Sequence, residues 1–140
     1  GMEQIRQKIR DSFARQSMMG TLGAELGSIE TGRVEITAPI GDHIRQQHGY
    51  AHAGLTFSIG DSAAGYSALT VIPEDQEVVT SEMKIHLLAP ARGTSLIARG
   101  NVVKGGRRLV IVTADVFAVE DGQETHVAML SGTMVPVPVG

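Results

Sequence analysis

The sequence predicts an α+β domain in which a long, curved antiparallel sheet wraps around one buried helix. Three observations carry that prediction. First, residues 46–73 contain a single formally charged residue, Asp61, among small and apolar neighbours such as Gly54, Leu55, Ile59, Gly60, Ala63, Ala64 and Leu69. Helical spacing places Leu55, Ile59, Ser62, Tyr66 and Leu69 along one side of a helix over 53–71, and Phe57, Asp61, Ala64 and Ala68 along another. A helix that is apolar around most of its circumference is a buried one. Second, the element order reads helix, two strands, helix, four strands, without the βαβ alternation of a doubly wound parallel sheet. Third, the later segments alternate apolar and polar residues between turn signals, of which Asp121-Gly122 is the clearest hairpin sequence.

Taken in order, residues 2–19 predict a covering helix, with Ile5, Ile9 and Phe13 four apart and Arg6, Lys8, Arg10 and Arg15 elsewhere on its surface. Its apolar face is thin for a membrane-surface helix. Gly20 is expected to end it. Strands over 24–30 and 33–39 flank a turn at Thr31-Gly32, and Val34, Ile36 and Ala38 define a buried face. A polar loop over 41–51 leads into the buried helix, the kind of segment that rims a site. Pro73 is expected to stop that helix. A strand over 78–88 should direct Val79, Met83, Ile85 and Leu87 to one face and Thr80, Glu82, Lys84 and His86 to the other. Strands over 94–103, 108–119 and 125–137 complete the sheet, with Pro136 and Pro138 ending the last.

At 140 residues the chain is read as one domain, 1–140. A net charge of -3 gives no basis for a nucleic-acid partner. The absence of cysteine excludes disulfides, thiolate metal sites and a cysteine nucleophile. The polar start carries no apolar leader, so a cytoplasmic protein is expected. Asp61 and the Ser and Gly content of the apolar run leave no membrane span, and no membrane partner is expected. His48 and His52 are four apart with His43 nearby, but no HExxH pattern or third spaced ligand accompanies them, and no metal is assigned.

The segment Gln46-Gln47-His48-Gly49-Tyr50-Ala51-His52-Ala53-Gly54, with Asp61 nine positions after His52, resembles the PaaI-type acyl-CoA thioesterases of the hotdog fold. Thr80-Ser81-Glu82-Met83-Lys84-Ile85 followed by Pro90, and Val103-Lys104-Gly105-Gly106-Arg107-Arg108-Leu109, extend the resemblance over essentially the whole chain. In that family an Asn precedes HGG, and an acid follows the His by nine residues. Here Gln46 stands in place of the Asn, and Ala53 in place of the middle Gly, whose backbone N–H the family uses. The resemblance implies that Thr80 positions the attacking water. It also implies that Lys104, Gly105, Gly106, Arg107 and Arg108 approach coenzyme A, which is part of the substrate; no separate cofactor is implied. Tyr50 is assigned to the acyl pocket, and His52 to supporting the loop by a hydrogen bond to Gln46.

The chemistry follows from the residues. A helix N-terminus presents unpaired N–H groups and a partial positive charge, so Ala53 and Gly54 can hold a thioester carbonyl oxygen and hold it better as an oxyanion. With no cysteine and no Ser-His-acid pattern, the attacker is Asp61, as nucleophile or as general base for water. Eight residues of helix separate Asp61 from Ala53, about 12 Å at the helical rise. Reacting atoms must approach within about 3–3.5 Å. One helix therefore does not serve one carbonyl with both groups, whereas two antiparallel helices in a homodimer do. The expected protein is a homodimer or dimer of dimers that hydrolyses an acyl- or aryl-acetyl-CoA. The alternatives are a non-catalytic acyl-CoA sensor and a hotdog enoyl-CoA hydratase.

Overall fold

A computed structural model of the chain describes residues 1–139. The elements are α1 (Met2–Arg15), α2 (Ser17–Leu22), β1 (Glu25–Glu30), β2 (Arg33–Pro39), a single 3-10 turn (Asp42–Ile44), α3 (Ala53–Leu69), β3 (Gln76–Leu87), β4 (Ser95–Lys104), β5 (Val110–Glu120) and β6 (Gln123–Pro138). The six strands form one curved sheet in the order β1-β2-β4-β5-β6-β3, with every neighbouring pair antiparallel. α3 packs on this sheet, against β2 and β4 to β6 and against β3. The hotdog architecture expected from sequence is the one observed. No helix among the described residues is long and apolar enough to cross a membrane.

The strand alternation builds the core. Val34, Ile36, Leu96, Ala98, Val112, Ala114, Val116 and Leu130 are completely or almost completely buried, with Leu55, Ile59, Ala63, Ala64 and Ala68 from α3. Small residues set the helix–sheet distance. A Cβ at Gly100 of β4 would lie 2.2 Å from the Ala63 carbonyl oxygen, so only glycine lets strand and helix backbones come this close. Thr70 fastens the end of α3: its Oγ1 accepts from the Gly32 N–H at 2.7 Å and donates to the Ser67 carbonyl at 2.7 Å.

Several local expectations are corrected. The first helix does not run to Met19 or stop at Gly20. It breaks at Gln16, whose backbone is extended and whose side-chain amide donates to the Tyr66 hydroxyl at 2.7 Å. A second short helix then carries Met19 and Leu22 into the core and ends at Gly23, where φ is 68°. α3 ends at Leu69, four residues before Pro73, which instead opens the following turn. Pro136 lies inside β6 rather than ending it: β5 begins at Val110, opposite Met134. Beyond that point β6 has no partner on its β5 side among the described residues, and a proline there sacrifices no ladder bond on that side.

β3 departs most consequentially from simple alternation. Thr80 pairs with Met134 and Glu82 with Thr133, so Ser81 is one extra residue, a bulge. Val78 and Thr80 turn toward α3 before it; Met83 and Ile85 pack on the core after it. The expected grouping of Val79 with Met83 is therefore wrong, and Val79 is 50% exposed. Gly132 makes room for the bulge, since a Cβ there would lie 2.3 Å from the Glu82 carbonyl oxygen.

Candidate active site

Two clefts lie along α3 and share no lining residue. The first, about 550 Å³, is at the helix N-terminus, between the loop carrying Gln46, Tyr50 and His52 and the segment from Leu87 to Ala91 that follows β3. The loop is closed by an Arg45–Ala51 bridge. It is also held by Gln46, whose Oε1 accepts from the N–H groups of His48 at 2.6 Å and Tyr50 at 3.2 Å. That leaves the Gln46 amide nitrogen, and its two protons, without a protein partner among the described residues.

His52 caps α3. Its Nδ1 accepts from the Gly54 N–H at 2.8 Å, which fixes the neutral tautomer protonated at Nε2. The hydrogen bond foreseen between His52 and Gln46 is absent, and the Gly54 N–H foreseen as an oxyanion donor is occupied. The Ala53 N–H, at the first helical position, has no intrahelical acceptor and no other partner among the described residues. Ala53 lines the same cleft as Gln46. Ala53 has helical backbone geometry, so alanine in place of glycine presents no obstacle. Tyr50 lines this cleft too, and the Arg92 guanidinium lies 4.7 Å from its ring centroid.

The second cleft, about 240 Å³, contains Asp61. Thr80 Oγ1 donates to Asp61 Oδ1 at 2.9 Å, a contact that the Ser81 bulge creates by turning Thr80 to the helix side. Half-burial raises the Asp61 pKa above the ordinary aspartate value, and the Thr80 hydrogen bond offsets part of that rise. A partly desolvated carboxylate of raised basicity suits proton abstraction from water. Ser58 donates to the Gly54 carbonyl at 2.7 Å and makes no hydrogen bond to Asp61.

Lys104, Gly105, Gly106, Arg107 and Arg108 are not gathered with either group. The Gly105–Arg108 loop lines a third cleft, about 680 Å³, with Val71, Ile72, Pro73 and Gln76 beyond the C-terminal end of α3. Sequence reading missed Ser12 and Gln16, which line the Asp61 cleft together with Tyr66. The signal available was the hydroxyl of Tyr66: a tyrosine in a buried helix needs a hydrogen-bond partner, which had to come from a covering element.

The model of the thioesterase superfamily matches residues 48–125, a span that takes in the end of the loop from His48 onward, without Gln46, and all of α3, β3, β4 and β5. A thioesterase family protein from Silicibacter pomeroyi, known from its crystal structure, is 41% identical; the match covers 96% of this chain and 99% of that one, with a TM-score of 0.94. The PaaI protein of E. coli, from the phenylacetic acid degradation operon, shares the fold at 21% identity, with a TM-score of 0.84 over 99% of this chain and 95% of that one. The 1,4-dihydroxy-2-naphthoyl-CoA hydrolase of Listeria monocytogenes is 25% identical over 62% of this chain and 71% of its own.

Proposed function

This chain belongs to the thioesterase superfamily, and from that premise we propose that it hydrolyses an acyl-CoA to free acid and coenzyme A in sites shared by two copies. One observation carries the reading: Asp61 and Ala53 occupy separate clefts at opposite ends of the same edge strand. The Asp61 cleft is walled by Glu77, Val78 and Thr80 from the start of β3, and the Ala53 cleft by Leu87 from its end and Leu88 beyond. Among the described residues β3 pairs only with β6, and this edge strand carries exposed Val79 and Leu87. An uncovered strand of this length is a template for pairing with another strand. Antiparallel pairing of β3 with its copy about a two-fold axis sets the start of one strand beside the end of the other. Asp61 of one subunit then meets Ala53 and Gln46 of the partner, and a closed dimer holds two equivalent sites.

In such a site the Ala53 N–H and the Gln46 amide hold the thioester oxygen and stabilise the charge it gains. Asp61 takes a proton from water as it attacks, or attacks the carbonyl itself to form a mixed anhydride that water then cleaves to the free acid; Thr80 fixes the carboxylate. The thiolate of coenzyme A leaves. The Gly105–Arg108 loop supplies cations suited to the phosphates of coenzyme A. Thiol release from a panel of acyl-CoAs, measured for the wild type and Asp61→Asn, tests the reading. Asp61-dependent release supports it, and saturable binding without such release contradicts it.

A further inference from the structure

The Asp61 cleft has a polar wall that hydrolysis itself does not use. Tyr66 of α3 receives a hydrogen bond from Gln16 Nε2 at 2.7 Å, and its hydroxyl lies 2.9 Å from Ser12 Oγ of α1. Proton counting makes this wall a donor. The contact between Ser12 and Tyr66 uses one of their two hydroxyl protons. Whichever group donates, the other keeps an O–H with no protein acceptor among the described residues. Gln16 keeps a second N–H as well. These groups line the same cleft as Asp61.

The other properties of the cleft narrow what would meet that donor. Its 240 Å³ exceeds the cavity of about 150 Å³ that accepts benzene, so one six-membered ring with a substituent, or a short chain, fills it. Leu69, Val78 and Met134 supply apolar walls. The ionisable acids on the lining are Asp61 and Glu77, and no Lys or Arg accompanies them. A carboxylate at the far end of the acyl group would meet like charge without a counter-ion; a hydroxyl or carbonyl oxygen would not.

We infer that Ser12, Gln16 and Tyr66 form the distal wall of the acyl pocket and select a compact acyl group carrying a neutral oxygen. The inference rests on the thioesterase reading above. It makes the N-terminal helices a specificity element, because Ser12 and Gln16 reach the pocket only when α1 is docked on α3.

Matched thioesters test it: phenylacetyl- and para-hydroxyphenylacetyl-CoA, and pentanoyl- and omega-hydroxypentanoyl-CoA, with glutaryl-CoA as the anionic counterpart. The wild type is expected to favour the oxygenated member of at least one pair by about ten-fold in kcat/KM, the scale of one hydrogen bond, and to discriminate against glutaryl-CoA. Each single variant, Ser12→Ala or Tyr66→Phe, leaves one hydroxyl donor in place, and the double variant S12A/Y66F still leaves the Gln16 amide; the triple variant S12A/Q16L/Y66F removes every donor of the wall and is expected to bring the paired ratio to about one. A triple variant that melts like the wild type and keeps the ratio overturns the inference. So does a wild type that treats both members of every pair alike, a result that needs no variant to fold. No Asp61-dependent hydrolysis of any thioester would instead overturn the underlying function, which separates the two failures.

Discussion

The Thr80 hydroxyl donates to the Asp61 carboxylate at 2.9 Å across the gap between an edge strand and the buried helix. Thr80 reaches the helix because one extra residue at Ser81 turns the strand over between it and Glu82. The bond opposes the burial that raises the Asp61 pKa. Thr80→Val removes it, so the acid limb of kcat/KM should move to higher pH, with a fall in rate of about ten-fold. Thr80→Ser retains the hydroxyl and should stay near the wild-type profile. An acid limb that does not move in Thr80→Val separates the hydroxyl from the titration.

Asp61→Asn should lower kcat by about 10²–10⁴-fold, the usual range for a lost general base. Stability should respond in the opposite direction. A carboxyl whose folded pKa is raised contributes stability below its unfolded pKa and loses that contribution as pH rises through the folded value. At neutral pH the amide should therefore match or exceed the wild-type melting temperature. The two should converge below the ordinary aspartate pKa, where the wild-type carboxyl is protonated in both states. A variant markedly less stable at neutral pH would show that the charged form is favoured by the fold.

His52 holds the first turn of α3 by accepting from Gly54. His52→Ala should cost about 1 kcal/mol, as for other lost N-caps. His52→Asn should recover most of it, because asparagine is a good capping residue. Denaturant unfolding of both variants measures this. Equal destabilisation by the two would mean that the imidazole acts through packing rather than as a cap.

Gly100→Ala should destabilise by about 3 kcal/mol, at the upper end of overpacking costs, because the added methyl meets the Ala63 backbone rather than a yielding side chain. Chemical denaturation measures it. A near-neutral result would require β4 and α3 to separate without loss.

The sheet and its helix were legible because patterning at periods of two and 3.6 marks them directly. Val34, Ile36 and Ala38 alternate as expected and are buried, and α3 starts at Ala53 as expected. What escaped was set by tertiary contact. Gln16 carries no helix-breaking signal, and its break coincides with a bond to a tyrosine 50 residues away. Ser81 looks like any strand residue; the space for its bulge is left by Gly132 on the neighbouring strand. Gly20 invites a helix end, yet Gly23 supplies it, because there the backbone enters the left-handed region. Asp61 stood out as the lone charge of its run, and Gln46 and Ala53 as positions of the family motif that the chain resembles, but the occupation of the Gly54 amide was not legible, since histidine is an uncommon cap.

The most direct measurement of the two-copy site mixes subunits of complementary defect. Asp61→Asn removes the carboxylate, and Ala53→Pro removes the N–H at a position where a helix tolerates proline. Each variant alone should be nearly inactive. After dissociation and random reassociation in equal amounts, half of the dimers should be mixed with one intact site each, giving roughly one quarter of wild-type activity. Confirmed heterodimers that regain no activity would contradict the shared site, as would full activity in a strictly monomeric wild type.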